Sequence, residues 1–409
     1  MRAIIAVLCV VLVAWTMTYY RSRGSITFHL FLLFFAIYSI RIAYDTAFDP
    51  FPLGQPDYYY WAFAIGVSFL PALTLSLLAT HLDIAKVALP IVLMGSVVMA
   101  LAIWFGDTIV RNASGQTYDT GRLALESINP ISLGHVGATV FLLIYWRVRR
   151  GSIGLVAFLF WLAAALLGFY GVLASGSRGP VIAMICGLLF IELIYGGRTL
   201  IILSIISAPI LAILTIDISR LEASLGTNIF SRFETAISGT DASSLARVEQ
   251  LSSAWSLFLN NFAFGSSLED PVYRIYPHNI IVEAFMALGI FGGMLLIALL
   301  FSTCLRAFRL ARSDAAQSAY GALFIQYMVA AQLSGGLYGS SAMWVLLGCI
   351  AGLQKGQIAS GSQEGMIAHR LAQHRFPAGH VSASRSIGGA RYQAPLSPKA
   401  DAIENAPNI

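Results

Sequence analysis

The stretch NIIVEAFMALGIFGGMLLIALLFST, residues 279–303, decides the fold. Its one charged side chain is Glu283, and apolar and polar residues do not alternate along it. A helix of about 20 such residues crosses the ~30 Å hydrocarbon core of a bilayer. Backbone N–H and C=O groups in lipid must be satisfied within a helix or around a closed barrel. A continuous apolar run without period 2 excludes the barrel and leaves the helix. Comparable runs recur at 2–20, 26–44, 58–79, 84–105, 130–148, 153–174, 180–196, 199–217, 318–334 and 337–353. The sequence therefore predicts an all-α, polytopic integral membrane protein with about 11–12 transmembrane helices and one large loop.

Composition agrees. Of the 409 residues 57% are hydrophobic and 11% charged, against about 25% charged in a soluble domain. Mean hydropathy is +0.75. The net charge of +5 is mostly arginine, since Lys86, Lys355 and Lys399 are the only lysines. The basic residues mark topology rather than a nucleic-acid surface, so no nucleic-acid partner is expected. Arg21 and Arg23, Lys86, Arg147, Arg149 and Arg150, Arg198, and Arg306, Arg309 and Arg312 fall on alternate connections, which the positive-inside rule makes cytoplasmic. The opposite connections carry Asp45, Asp49, Asp57, Asp107, Asp119 and Glu126. They include a long polar loop at 217–277, which places that loop and Arg178 on one extracytoplasmic face. The first twenty residues run into Arg21-Ser22-Arg23 without an Ala-x-Ala site, so a retained span is expected there rather than a signal peptide. A polytopic domain over 1–353 and a disordered cytoplasmic tail over 354–409, rich in Ser, Gly, Ala and His, complete the layout. Cys9, Cys186, Cys304 and Cys349 are scattered in apolar runs and read as small core residues.

Chemistry concentrates in two places. Ser175-Gly176-Ser177-Arg178-Gly179-Pro180 ends one span and opens the next. The Arg178 fork matches phosphate oxygens and keeps its proton. The glycines admit close backbone approach, and the helix start presents N–H groups to an anion. An arginine snorkelling to headgroups would have the same sequence. The second place is the long loop, with Arg220, Arg232, Arg247 and Arg274. Ser243-Ser244 followed by Leu245, Val248, Leu251, Trp255, Phe258 and Leu259 predicts an amphipathic helix ending before Gly265, with Arg247 on its first turn. The loop closes on Pro277-His278-Asn279. His278 can accept a proton near neutral pH, although a histidine or asparagine here also caps a helix. Glu283 is a carboxylate inside a span, which is costly and usually functional or paired. Glu192 lies deeper toward the cytoplasmic side and reads as half of a structural ion pair. No Walker loop, dinucleotide fingerprint, HExxH or nucleophile elbow occurs.

Ser175-Gly176-Ser177-Arg178-Gly179 resembles a signature of the bacterial O-antigen ligase-related membrane proteins. Arg247 with its amphipathic helix, Gly265, Pro277-His278-Asn279, Glu283, Gly289 and Gly292 resembles their second block. The family includes O-antigen ligases, Wzy-type O-antigen polymerases and exopolysaccharide polymerases, and the likeness covers 150–300. It implies a metal-independent, cofactor-free glycosyltransferase of GT-C type in the bacterial inner membrane, with its active site facing the periplasm. The implied donor is an undecaprenyl-diphosphate-linked glycan, and the acceptor another glycan or lipid A-core. Membrane lipids, a chain-length regulator and a flippase are the further partners implied. Carried over, Arg178 and Arg247 grip the diphosphate and His278 positions or deprotonates the acceptor hydroxyl. Glu283 is expected beside them, with Arg232, Arg274, Asn279 and Ser177 on the substrate. Family members often show twelve spans, one more than counted here, and the 354–409 tail is a further departure. The reading that leads is a polymerase. A ligase differs from it only in acceptor, a lipid-linked glycan flippase would use the same arginines with access from both faces, and a non-catalytic scaffold predicts that His278→Ala is silent.

Overall fold

The computed structural model describes residues 7–13, 25–48, 53–78, 83–111, 117–125, 128–151, 153–196, 229, 231 and 242–353. The apolar runs fold as helices. They are α1 (Ile26–Phe48), α2 (Asp57–Leu78, with π-helical geometry over Ala62–Phe69), α3 (Ile84–Phe105), α4 (Pro130–Arg149), α5 (Leu155–Ala174) and α6 (Arg178–Tyr195). After the long loop come α7 (Ala242–Asn260), α8 (Ile280–Ser313), α9 (Ser318–Ser334) and α10 (Ser341–Gly352). Among the described residues seven helices, α1 to α6 and α8, are long and apolar enough to cross a membrane. The spans expected at 318–334 and 337–353 are α9 and the shorter α10. Residues 7–13 are helical within the expected 2–20 span, whereas 199–217 and the 354–409 tail lie outside the described residues.

Local chemistry sets the boundaries. Asn129 caps α4 by accepting from the Ser132 N–H at 2.8 Å, with Pro130 in the first turn, and Asp83 caps α3 through Ala85 N–H at 2.9 Å. Helix pairs α4 with α5, α6 with α9, and α10 with α2 form the main contacts. Where α4 crosses α5, Gly137 faces the Gly168 carbonyl, and a Cβ at Gly137 would lie 2.5 Å from it. Small residues let helix backbones meet closely in lipid, where apolar burial alone does not drive association. An aromatic cluster of Phe31, Phe34, Phe35, Phe69 and Trp344 fills the junction of α1, α2 and α10. All four cysteines are free; Cys9 and Cys349 are buried.

Two features depart from a plain helical reading. First, the connection after α3 is a two-stranded antiparallel hairpin, β1 (Asp107–Arg111) and β2 (Thr117–Ala124), where the sequence pattern had only a polar loop. Second, α8 is longer than the 279–303 span and breaks at Gly289 (φ 66°, ψ −164°). The break is stitched by the turn after α7: Ser266 N–H donates to the Met286 carbonyl at 2.6 Å and Ile290 N–H to the Phe262 carbonyl at 2.9 Å. Gly265, also left-handed at φ 78°, lies against Ala287 backbone. Backbone freed by a helix break at membrane depth survives only where protein re-satisfies it, and Gly265 and Gly289 make that approach possible. Trp255 and Phe258 of α7 pack on Phe285 at centroid distances of 5.8 and 5.0 Å, which locks the loop helix onto α8.

Candidate active site

The turn from α5 to α6 is built by its own serines. Gly176 takes φ 54°, which an L side chain rarely adopts, and Ser177 returns to extended geometry before α6 begins at Arg178. Ser177 Oγ donates to the Ser175 carbonyl at 3.1 Å, and Ser175 Oγ to the Val172 carbonyl at 2.7 Å. Both serines are buried. Ser177 makes no side-chain cap bond to α6, so the first turn of that helix keeps its N–H groups directed at the space in front of it.

That space is a cavity of about 90 Å³ lined by Arg122, Ile131, Ser177, Arg178, Gly179, Arg247, Leu333 and Ser334. The structure thus brings together Arg178 at the start of α6 and Arg247 of α7, which are remote in sequence. It adds Arg122 from β2. Arg122 Nε donates to the Ser175 carbonyl at 3.1 Å and its Nη2 to Ser177 Oγ at 2.5 Å, so the hairpin arginine braces the turn that presents Arg178. Arg122 was not singled out from the sequence. It sits in a short polar connection with no apolar pattern, and only the fold carries it to the site. Arg247 lies in the second turn of α7, since the helix starts at Ala242 rather than at the serine pair.

His278 stands just before α8 in a left-handed conformation, φ 57°. A non-glycine residue held there is uncommon and costs of order 1–3 kcal/mol. Its ring packs edge-on to Tyr276 at 4.7 Å. Burial, and then the charge of Arg247, push the imidazole below its ordinary pKa, while the Ser334 carbonyl opposes the shift by accepting a ring N–H. Nδ1 is buried without a hydrogen-bond partner. Burial also pushes the Tyr276 phenol up to about 12, which keeps that neighbour neutral.

The other expected residues spread out. Asn279 caps α8: its Oδ1 accepts from Ile281 and Val282 N–H at 3.1 and 3.0 Å, and its Nδ2 donates to the Gln332 carbonyl at 3.1 Å. It fixes the backbone that carries His278 and ties it to the end of α9. Glu283 is buried and accepts from the Leu337 N–H at 2.9 Å, pinning the α9–α10 connection; it does not line the arginine cavity. Arg274 is exposed in a turn closed by the Asp270–Ile275 bridge and does not line it either. Arg232 lies outside the described residues. Glu192 is fully buried, meets Arg149 Nε at 2.8 Å and accepts from Tyr145 OH at 2.6 Å, as the structural pair the sequence suggested. Among the described residues no cluster of three or more His, Cys, Asp or Glu could hold a metal ion.

Residues 163–297 match the O-antigen ligase family model. The matched stretch runs from within α5 through α6 and α7 to the first part of α8, so Arg178, Arg247, His278 and Glu283 all fall inside it, and Arg122 falls before it. Among curated proteins none matches the chain.

Proposed function

We propose that the protein is an inner-membrane polysaccharide polymerase that transfers glycan from an undecaprenyl-diphosphate donor to a sugar hydroxyl on the periplasmic face. One observation carries the reading: Arg122, Arg178 and Arg247, from three separate elements, line a single cavity, and His278 lies close enough to Arg247 for that charge to lower its pKa. A volume of about 90 Å³ is on the order of three waters, which suits a phosphoryl group rather than a sugar. The O-antigen ligase match supports glycan transfer of ligase or polymerase kind.

The chemistry follows from the residues. The imidazole of His278, neutral at pH 7 because its pKa is depressed, takes the proton of the acceptor hydroxyl. The hydroxyl oxygen bonds to the anomeric carbon as the bond from that carbon to the diphosphate oxygen breaks. The electron pair leaves with the diphosphate, whose growing charge meets the fixed guanidiniums. Donors already in place need no reorganisation, and exclusion of water strengthens them. In this proposal Arg122 holds the Ser175–Ser177 turn and adds charge, Arg178 and Arg247 clamp the leaving group, and Asn279 orients His278. The chemistry lies within 1–353.

A second reading, transfer onto lipid A-core, is favoured by the description of the matched family. Reconstitution separates the two. Purified protein with undecaprenyl-diphosphate-linked repeats alone gives a ladder of glycan lengths if it polymerises, and gives product only after lipid A-core is added if it ligates. A folded protein that makes neither product refutes glycan transfer.

A further inference from the structure

A second cavity of about 310 Å³ abuts the arginine cavity, and the two share Ile131 and Ser334 in their walls. It opens among the first turns of α4, the end of α9 and the start of α10. Its character is different. The polar side chains on it are Ser132, Ser334, Ser340, Ser341, His135 and Tyr327, and no charged residue is among those lining it. His135 is only 7% exposed, yet its Nδ1 has no hydrogen-bond partner. A buried polar atom without a partner costs free energy, on the order of 1–3 kcal/mol, and a turn of the ring that brings Nδ1 to the cavity lets a ligand supply one. The neighbouring groups do not supply it. Tyr327 OH is engaged by Thr139 Oγ1 at 2.9 Å, and Gln326 Nε2 donates to the His135 carbonyl at 3.0 Å and to Thr139 Oγ1 at 3.1 Å. These bonds fix the wall and leave the imidazole facing the cavity, with the Tyr327 ring 6.0 Å from it.

We infer that this pocket holds an uncharged pyranose ring, namely the sugar joined directly to the diphosphate of the donor. The assignment rests on the clamp reading of the adjacent cavity and extends it. A phosphoryl group lined by Arg122, Arg178 and Arg247 has its sugar one bond away, and the hydroxyl-lined pocket is what lies next to it. The lining decides among the candidates by chemistry. A second phosphate would need cations, and a prenyl chain, although Ile131, Val136, Ala330, Ala331 and Met343 would suit it, would leave the four serines, His135 and Tyr327 against hydrocarbon. A pyranose offers hydroxyls to serine and imidazole and an apolar face to an aromatic ring. The volume is on the order of ten waters, enough for one ring and not for a long glycan.

The test uses full-length protein in nanodiscs and two kinds of probe: bare undecaprenyl diphosphate, and the same lipid carrying one glucosyl, galactosyl or N-acetylglucosaminyl residue. The wild type is expected to bind one of the glycosylated lipids at least fivefold more tightly than the bare lipid. Ser132 is exposed at the pocket, so Ser132→Phe fills the space without disturbing the core, and the increment for sugar disappears. His135→Gln reduces it, read in protein whose thermal unfolding matches the wild type. Tight binding of the bare lipid with no increment for any of the three sugars, or an increment that survives Ser132→Phe, overturns the pocket assignment and leaves the clamp standing. Failure of the wild type to bind the bare lipid overturns the clamp and the pocket together.

Discussion

The two ends of α6 treat charge in opposite ways. At its C-terminal end Glu192 is fully buried, but Arg149 and Tyr145 meet it at 2.8 and 2.6 Å, and the charges cancel on the spot. At its N-terminal end three arginines line one small cavity, and among the described residues no carboxylate lines it with them. The first arrangement is how a membrane protein tolerates a carboxylate. The second gathers like charges at a helix N-terminus, where the macrodipole adds to the positive field. Arginines gathered there fit the anionic leaving group of the proposed reaction. The contrast is between a carboxylate held by fixed partners within the bundle and arginines brought to one cavity from three elements, where sequence position alone gives each end an ionisable residue at a span boundary.

The largest effect that could break this contrast is expected at the arginines. Arg178→Lys and Arg247→Lys keep charge and lose the planar fork, and each is expected to lower glycan transfer by about 10²–10³-fold, as for loss of one preorganised donor, with normal membrane expression. Wild-type product from both variants removes the clamp. His278→Ala is expected to cost about 10²-fold, at the low end for a general base, because the arginines remain. A silent His278→Ala favours a scaffold instead. The pH dependence sharpens the same point. A depressed imidazole pKa keeps the neutral base populated to lower pH, so activity should fall only below the ordinary histidine value of ~6.5, as the imidazole becomes protonated. Replacing Arg247 by Gln removes a charge that lowers this pKa and should move the acid limb of the residual activity upward.

At the other end of α6 the readout changes. Glu192→Gln leaves Arg149 without its countercharge. Breaking a buried pair costs ~3–5 kcal/mol, and the 31% exposure of the Arg149 side chain puts the expectation at the low end. The thermal midpoint should drop while the specific activity of the folded fraction stays. A loss of activity at unchanged stability would erase the distinction between the two ends. The smallest expected effect is none: chelation of divalent metal by EDTA should leave the transfer rate unchanged, since guanidiniums stand where a cation would act. Activity that vanishes with EDTA and returns with magnesium contradicts this.

Much of this was legible before the fold. The apolar runs at 84–105 and 318–334 coincide with α3 and α9, because lipid forces long uninterrupted helices. The serine-glycine turn before Arg178 and the amphipathic periodicity after Ser243 announce local structures that depend on near neighbours alone. The rest depends on distant partners. Arg122 lies on a hairpin with no apolar alternation, and nothing nearby in sequence says that it reaches Ser175 and Ser177. His135 hides in an apolar run, where a histidine reads as core until its unpartnered nitrogen is seen. Gly289 inside a helical pattern is ambiguous; only the turn at 262–266, which completes its broken backbone bonds, shows why the helix can open there. Asn279 had two readings, and its bonds to Ile281 and Val282 place it as the cap that supports His278.

A cryo-electron microscopy structure of the protein in nanodiscs with undecaprenyl diphosphate decides whether the arginines hold the leaving group. Phosphoryl density is expected within hydrogen-bond distance of Arg178 and Arg247, in front of the first turn of α6. Diphosphate density elsewhere in the bundle, with the arginine cavity filled only by solvent, would contradict it.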